Sequence, residues 1–292
     1  MDLPLHEDDL DAEGVIRASA ITPHRPDMPS AAVLCWFPEV VADVGTRSAA
    51  VTVLRSELGR SPVWRTTGPG GTSVAVLHPG VGAPLAAMFL EHLVALGVRT
   101  VVGVGGAGAL RHELTLGHAV VLGSALRDEG TSFHYQPPSR TIDADPGGVD
   151  AVARTLAGAG VPYVVGRCWT TDAVFRETPA RVARRREEGC AVVDMEASAL
   201  VAAARRIGVG YGQVFLAADS LAGPEWEHRG WTDAREARAG LFGLALAAAE
   251  AWDTDRTAGP EDRATGPEDS AAGPEGRAAG PDVHPAGGAG TP

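Results

Sequence analysis

The stretch Cys190-Ala191-Val192-Val193-Asp194-Met195-Glu196-Ala197-Ser198-Ala199-Leu200 decides how this sequence folds. Residues 191–193 form a short apolar run with the character of a buried strand. The run breaks at Asp194, and from Ala197 small and apolar residues recur at helical spacing as far as Arg206. Two carboxyl groups and a methionine therefore stand at a strand-to-helix junction. In α/β proteins ligands bind beyond the carboxyl ends of strands, where such junctions lie. Helix capping is the plainer alternative, since carboxylates near a helix N-terminus complement its dipole. The stretch by itself leaves both readings open.

Working outward, the same alternation recurs along the chain. Strands are expected over residues 31–37, 72–77, 100–104, 119–125, 163–168 and 211–217. Helices are expected over 85–96, 149–159, 178–188 and 233–252, and 39–58 reads as partly helical. Strands alternating with helices indicate one α/β domain, a three-layer α/β/α sandwich around a central mixed sheet. Residues 1–30 are a polar, proline-containing arm, and 31–252 are the domain. From Thr257 four imperfect seven-residue repeats follow, each carrying Gly-Pro. Gly-Pro in every repeat rules out continuous helix or strand, and little apolar surface is available to bury, so 253–292 is expected to be a disordered tail.

Composition narrows the function. A net charge of −12 argues against nucleic acid as a partner, because such binders concentrate positive charge on one face. All 25 basic residues are arginines, which excludes a Schiff-base lysine. Cys35, Cys168 and Cys190 are widely separated and form no CxxC pair, which points to a reducing compartment without disulfides or structural zinc. No apolar stretch approaches the ~20 residues of a membrane span, and the acidic start lacks the features of a signal peptide. A soluble, cytoplasmic protein is expected, with no metal.

Several segments after strands carry chemistry. Gly103, Gly105 and Gly108 fit GxGxxG, but a dinucleotide site needs a helix directly afterwards, and here another strand follows. A turn that brings backbone N–H groups to a small polar or anionic ligand fits better. Residues 128–135 form either an exposed loop or a substrate rim on which His134 bonds a sugar hydroxyl. Phe175 is either core or a platform for a flat heterocycle. Asp219, just beyond an apolar strand, is either a turn residue or an acid.

Taken in order, these segments resemble the nucleoside phosphorylase superfamily, in particular its uridine and hexameric purine nucleoside phosphorylase branch. Gly80-Val81-Gly82-Ala83-Pro84 and Gly105-Gly106-Ala107-Gly108 resemble its two glycine turns. Residues 128–135 are similar to a loop of uridine phosphorylases. Asp194-Met195-Glu196 matches the acidic-Met-Glu ribose motif, and Asp219 falls where purine-specific members carry a catalytic acid. The resemblance implies phosphorolysis of a nucleoside to free base and ribose 1-phosphate, with inorganic phosphate as co-substrate and no other cofactor. It implies Glu196 and Asp219 as catalytic groups, Met195, Glu196 and His134 at the ribose, and Phe175 and Gly108 at the base. A small-molecule nucleoside partner and a homo-oligomer follow from the same resemblance.

The phosphate site departs from the family. Where the family has an early Gly-Asp-Pro-x-x-Arg-like loop, this chain reads Cys35-Trp36-Phe37-Pro38-Glu39. Gly103 stands at a phosphate arginine and Gly106 at a phosphate threonine. A dianion stripped of water needs charge-assisted donors. The remaining candidates are Gly105 and Gly106 with Arg60 (from a neighbouring subunit), Arg127 or Arg176. Two alternatives therefore stay open: a hydrolase using water, and a non-catalytic nucleoside-binding protein.

Overall fold

The computed structural model describes residues 4–7, 9–57 and 59–258. Ten strands and seven helices alternate through them. The strands are β1 (Ala31–Cys35), β2 (Ala50–Ser56), β3 (Gly59–Thr67), β4 (Ser73–Leu77), β5 (Thr100–Ala109), β6 (Ala119–Asp128), β7 (Thr141–Asp143), β8 (Tyr163–Thr171), β9 (Cys190–Asp194) and β10 (Gly210–Ser220). The helices are α1 (Ala18–Ile21), α2 (Pro38–Arg47), α3 (Ala83–Leu96), α4 (Pro146–Gly158), α5 (Pro179–Glu187), α6 (Ala197–Ile207) and α7 (Arg235–Thr257).

All ten strands belong to one mixed sheet. β5 is its hub: it pairs in parallel with β1 and β10 and antiparallel with β9. β10 continues to β6, β6 to β8 and β8 to β9, so five strands close into a ring. On its other side β1 leads through β4 to the antiparallel β3 and β2. Strands enclosed on both faces read as continuous apolar runs, and β1 and β9 are buried at every position.

The helices cover both faces. One apolar core joins Leu90 and Leu93 of α3 and Leu200 of α6 to Leu34 and Val101 of the sheet. The opposite core joins Val41 of α2, Val152 of α4 and Leu246 and Trp252 of α7 to Val33 and Val214. Each helix starts where its sequence directs. Asp145 accepts a hydrogen bond from the Gly147 N–H (2.9 Å) and Thr178 from that of Arg181 (3.4 Å), each just before a proline in the first turn. α6 ends at Gly208, whose φ of 75° is the left-handed cap that glycine adopts without steric cost. α4 lies so close to β10 that a Cβ on Gly148 would come within 2.6 Å of the Tyr211 carbonyl oxygen.

Three parts of the sequence reading are corrected. Residues 50–56, read as part of a helical segment over 39–58, form β2; the β-branched run Val51-Thr52-Val53 outweighs the helical spacing of 38–47. The glycine-rich segment 103–108 is not a turn but the second half of β5. It stays extended because glycine lets neighbouring side chains lie against the backbone. A Cβ on Gly103 would sit 2.6 Å from the Tyr211 hydroxyl, and one on Gly105 3.1 Å from Trp36. Finally, residues 253–257, assigned to the tail, continue α7. The tail beyond 258 lies outside the described residues.

Candidate active site

A cleft of about 660 Å³ opens at the carboxyl ends of β1, β5, β9 and β10. Each side of it comes from a strand-to-helix connection. Trp36 and Phe37 link β1 to α2, Val81 precedes α3, residues 174–177 lead from β8 towards α5, residues 194–196 join β9 to α6, and β10 supplies Ala218 and Asp219. Gly105 to Gly108 form a stretch of floor without side chains larger than a methyl group.

The decisive junction resolves into two different roles. Asp194 caps α6: its Oδ2 accepts hydrogen bonds from the backbone N–H groups of Glu196 (3.1 Å) and Ala197 (2.7 Å). Its Oδ1 accepts from the Thr170 hydroxyl at 2.7 Å and the Cys168 thiol at 3.2 Å. Glu196 makes no such cap. Its Oε1 instead accepts the Gly82 N–H at 2.5 Å, tying the turn before α3 to the wall of the cleft. Glycine suits that donor because Gly82 has φ of 103°, where a side chain would strain the backbone. Burial pushes the Glu196 carboxyl up to about 8, and the neighbouring Asp194 charge adds to the effect. Asp194 is raised as well, by burial first of all.

The opposite end of the cleft holds a second carboxyl pair. Asp219 Oδ2 accepts the Trp226 indole N–H at 2.7 Å. Gly108 lies beside it: a Cβ there would stand 3.7 Å from Asp219 Oδ1 and only 2.8–2.9 Å from Leu221 and Val193. Glu177 lines the same region, and its carboxyl is pushed up to about 7 by burial and by the Asp219 charge. Phe175 belongs to the rim rather than the core, at 96% exposure, with Val174 and Trp226 also exposed nearby. Four carboxyl groups thus line the cleft, from Glu177, Asp194, Glu196 and Asp219, and no basic side chain does.

Of the residues singled out in sequence, Met195, Glu196, Asp219, Phe175, Gly105, Gly106 and Gly108 meet in this one cleft. Four others do not, within one chain. Arg127 is buried and fully engaged: it donates to the hydroxyls of Ser132 and Ser139 (both 2.8 Å) and to the carbonyls of Pro137 (2.6 Å) and Gln136 (3.1 Å). Its guanidinium also lies 4.1 Å from the centre of the Phe133 ring. It organises the loop after β6 rather than reaching the cleft. His134 is carried by that loop to a separate groove formed with the N-terminal arm and α3. Arg60 sits on β3 in the exposed hairpin, away from its own chain's cleft. Arg176 is exposed beside Phe175 and is not among the lining residues.

The sequence reading passed over Glu177, Trp226, Trp231 and Gln213. Glu177 stands two positions after Phe175, but nothing local distinguishes its carboxyl from any exposed one. Trp226 lies in a polar loop, and only the fold brings it to Asp219. Among the described residues no group of three His, Cys, Asp or Glu side chains is placed to hold a metal ion, and no helix is long and apolar enough to cross a membrane.

Comparison with known proteins agrees with this geometry. The family model described as "Phosphorylase superfamily" matches residues 30–248. The chain is 30% identical to a guanosine phosphorylase of Halorubrum lacusprofundi over 147 residues, which are 49% of this chain and 60% of that protein. It is also 30% identical to a uridine phosphorylase of Thermococcus kodakarensis over 105 residues, 36% of this chain and 38% of that one. The matched segments therefore span less than two thirds of those relatives. In fold the chain is similar to a uridine phosphorylase from Vibrio fischeri, with a TM-score of 0.66 at 21% identity, covering 81% of this chain and 98% of that one. A purine nucleoside phosphorylase from Toxoplasma gondii gives 0.68 at 18% identity, covering 83% and 99%.

Proposed function

The chain belongs to the phosphorylase superfamily, and we propose that it cleaves the N-glycosidic bond of a nucleoside with inorganic phosphate, giving free base and ribose 1-phosphate. The observation that carries this reading is the cleft at the strand ends in which Met195, Glu196, Phe175, Gly108 and Asp219 meet. Glycosidic cleavage passes through a sugar with oxocarbenium character, and a carboxyl group fixed at the ribose hydroxyls holds the sugar in place as positive charge develops at C1′.

Each group then has a task. Glu196, held by the Gly82 N–H, takes the ribose hydroxyls, and Met195 packs beside the sugar. The base lies over the open floor at Gly108, against Phe175, with Asp219 at its ring nitrogens. Phosphate approaches C1′ from the side of Gly105 and Gly106. Two of the four carboxyls, Glu196 and Glu177, are pushed up to about 8 and about 7. At pH 7 Glu196 is therefore mostly protonated and Glu177 about half, which lowers the repulsion that a phosphate dianion meets in the cleft.

The reading includes a soluble, cytoplasmic homo-oligomer. Its three free, buried cysteines suit a reducing compartment. Val81, Val174, Phe175 and Trp226 form an exposed apolar rim at the cleft mouth for a second copy. Arg60 remains a candidate phosphate ligand only from such a neighbour. The test is product analysis on guanosine, inosine and uridine with and without phosphate. Ribose 1-phosphate formed only with phosphate supports the proposal. Free ribose released at a phosphate-independent rate would replace it with hydrolysis, and no turnover of any nucleoside would leave a binding protein.

A further inference from the structure

Glu177 has a place in the cleft that no role yet accounts for. It lies between the short 3-10 turn Val174–Arg176 and the N-cap of α5, and it is half-buried. Among the described residues no donor bonds its carboxyl. The charge acting on it is that of Asp219 from β10. Asp194 and Glu196, from the β9–α6 junction, are the other ionisable groups lining the cleft. The nearby cations of α5 are turned elsewhere: Arg185 pairs with Asp128 and Glu188, and Arg186 donates to the Ala222 carbonyl. Arg176 is exposed outside the cleft.

A half-buried carboxyl group that receives no hydrogen bond is easier to protonate than a solvated one, and a neighbouring negative charge adds to the effect. Asp219 Oδ2 receives the Trp226 N–H, whereas among the described residues no donor reaches Glu177. Burial and the Asp219 charge lift Glu177 to about 7.

We propose that Glu177 is a catalytic residue, the proton-carrying partner of Asp219, which supplies the proton taken up by the leaving base. The inference rests on the phosphorolytic reading above. As the C1′–N bond breaks, its electron pair stays on the base, and a base nitrogen takes the proton from the Glu177–Asp219 pair. An oxygen of hydrogen phosphate forms the new bond to C1′. The pair regains a proton from solution, and the hydrogen that phosphate brought is released from the sugar phosphate, so protons balance over the cycle.

The test compares the wild type with Glu177→Gln on two substrates, with phosphate present. One is whichever of guanosine and uridine the wild type cleaves faster. The other is 4-nitrophenyl β-D-riboside, whose leaving group departs without a proton. The variant is expected to lose about 100-fold or more in kcat on the nucleoside, the range of general acid catalysis, and less than about threefold on the nitrophenyl riboside. The wild-type kcat/KM on the nucleoside should fall above pH ~7, and Glu177→Gln should move that fall up towards pH ~8, where Glu196 ionises. Equal losses on both substrates, or an alkaline fall that stays at the wild-type pH in the variant, would overturn the role. Where the wild type accepts only the nucleoside, the alkaline fall alone decides. A wild type that cleaves neither substrate with phosphate rejects the phosphorolytic reading itself, a result distinct from failure of Glu177 alone.

Discussion

Replacing Glu196 by Gln should make the protein more stable at alkaline pH while leaving it nearly unchanged in acid. Glu196 is 7% exposed, and burial beside Asp194 lifts its carboxyl from an ordinary 4.5 to about 8. The folded state therefore binds this proton more tightly than the unfolded chain does. The stabilisation is fully present below pH 4.5 and is lost as pH rises through about 8. At about 1.4 kcal/mol per tenfold change in proton affinity, the loss reaches roughly 3 kcal/mol by pH 7 and roughly 5 kcal/mol above pH 8. Glutamine keeps the shape and an oxygen for the Gly82 N–H but carries no proton to lose. Urea unfolding at fixed protein concentration, at pH 5, 6, 7 and 8, measures the difference. We expect wild type and variant to agree within about 1 kcal/mol at pH 5, and the variant to lead by roughly 2–5 kcal/mol at pH 8. A difference that stays constant with pH, or a wild type that gains on the variant as pH rises, would refute the reasoning.

Three further outcomes follow from the packing. Gly148→Ala should destabilise the fold by about 3 kcal/mol, read as a fall in Tm, because its Cβ meets the Tyr211 carbonyl oxygen at 2.6 Å and the Gly212 Cα at 2.8 Å and neither can rotate away. Glu250→Ala should cost roughly 2–3 kcal/mol, since Glu250 accepts from the N–H groups of Gly70 and Thr72 at 2.6 Å each and from the Thr72 hydroxyl at 2.5 Å. Those bonds hold its carboxyl below the usual range despite burial, so its stabilisation is present above the ordinary carboxylate pKa and fades in acid; chemical unfolding at pH 7 and pH 3 should show the Glu250→Ala deficit shrinking. Arg127→Ala should lower stability by about 2–3 kcal/mol through the carbonyls and hydroxyls it leaves unpaired, with KM for phosphate unchanged. A raised KM for phosphate would return Arg127 to the phosphate site.

The sequence carried the fold because its apolar runs are short, β-branched and separated by helices with explicit starts, such as Asp145-Pro146 and Thr178-Pro179. It failed at β2, which helical spacing had absorbed, and at β3, to which no element was assigned. It also failed at 103–108, where glycine looks like a turn to local reasoning. What keeps that segment extended is the pressure of Trp36, Tyr211, Leu221 and Val193 from other elements. The site was legible where chemistry and position coincide in one short segment, as at Asp194-Met195-Glu196. The division of labour within that segment was not, because the partner of Glu196 is Gly82, 114 positions away. Arg127 and His134 were misplaced for the converse reason. Their segment follows a strand, as a substrate loop would, but Arg127 binds its own loop's carbonyls and draws it away from the cleft. Trp226 depends on a hydrogen bond to Asp219, and Glu177 on a shared cleft, that no spacing encodes.

The central claim is that the carboxyl-lined cleft at the ends of β1, β5, β9 and β10 holds the nucleoside. A crystal structure with a C-nucleoside, whose carbon–carbon glycosidic bond resists cleavage, tests it directly. The account predicts ribose hydroxyls on Glu196, the base over Gly108 beside Phe175, and Glu177 and Asp219 at its ring nitrogens. A nucleoside bound instead in the groove beside His134 and Tyr135, with the cleft left to solvent, would contradict it.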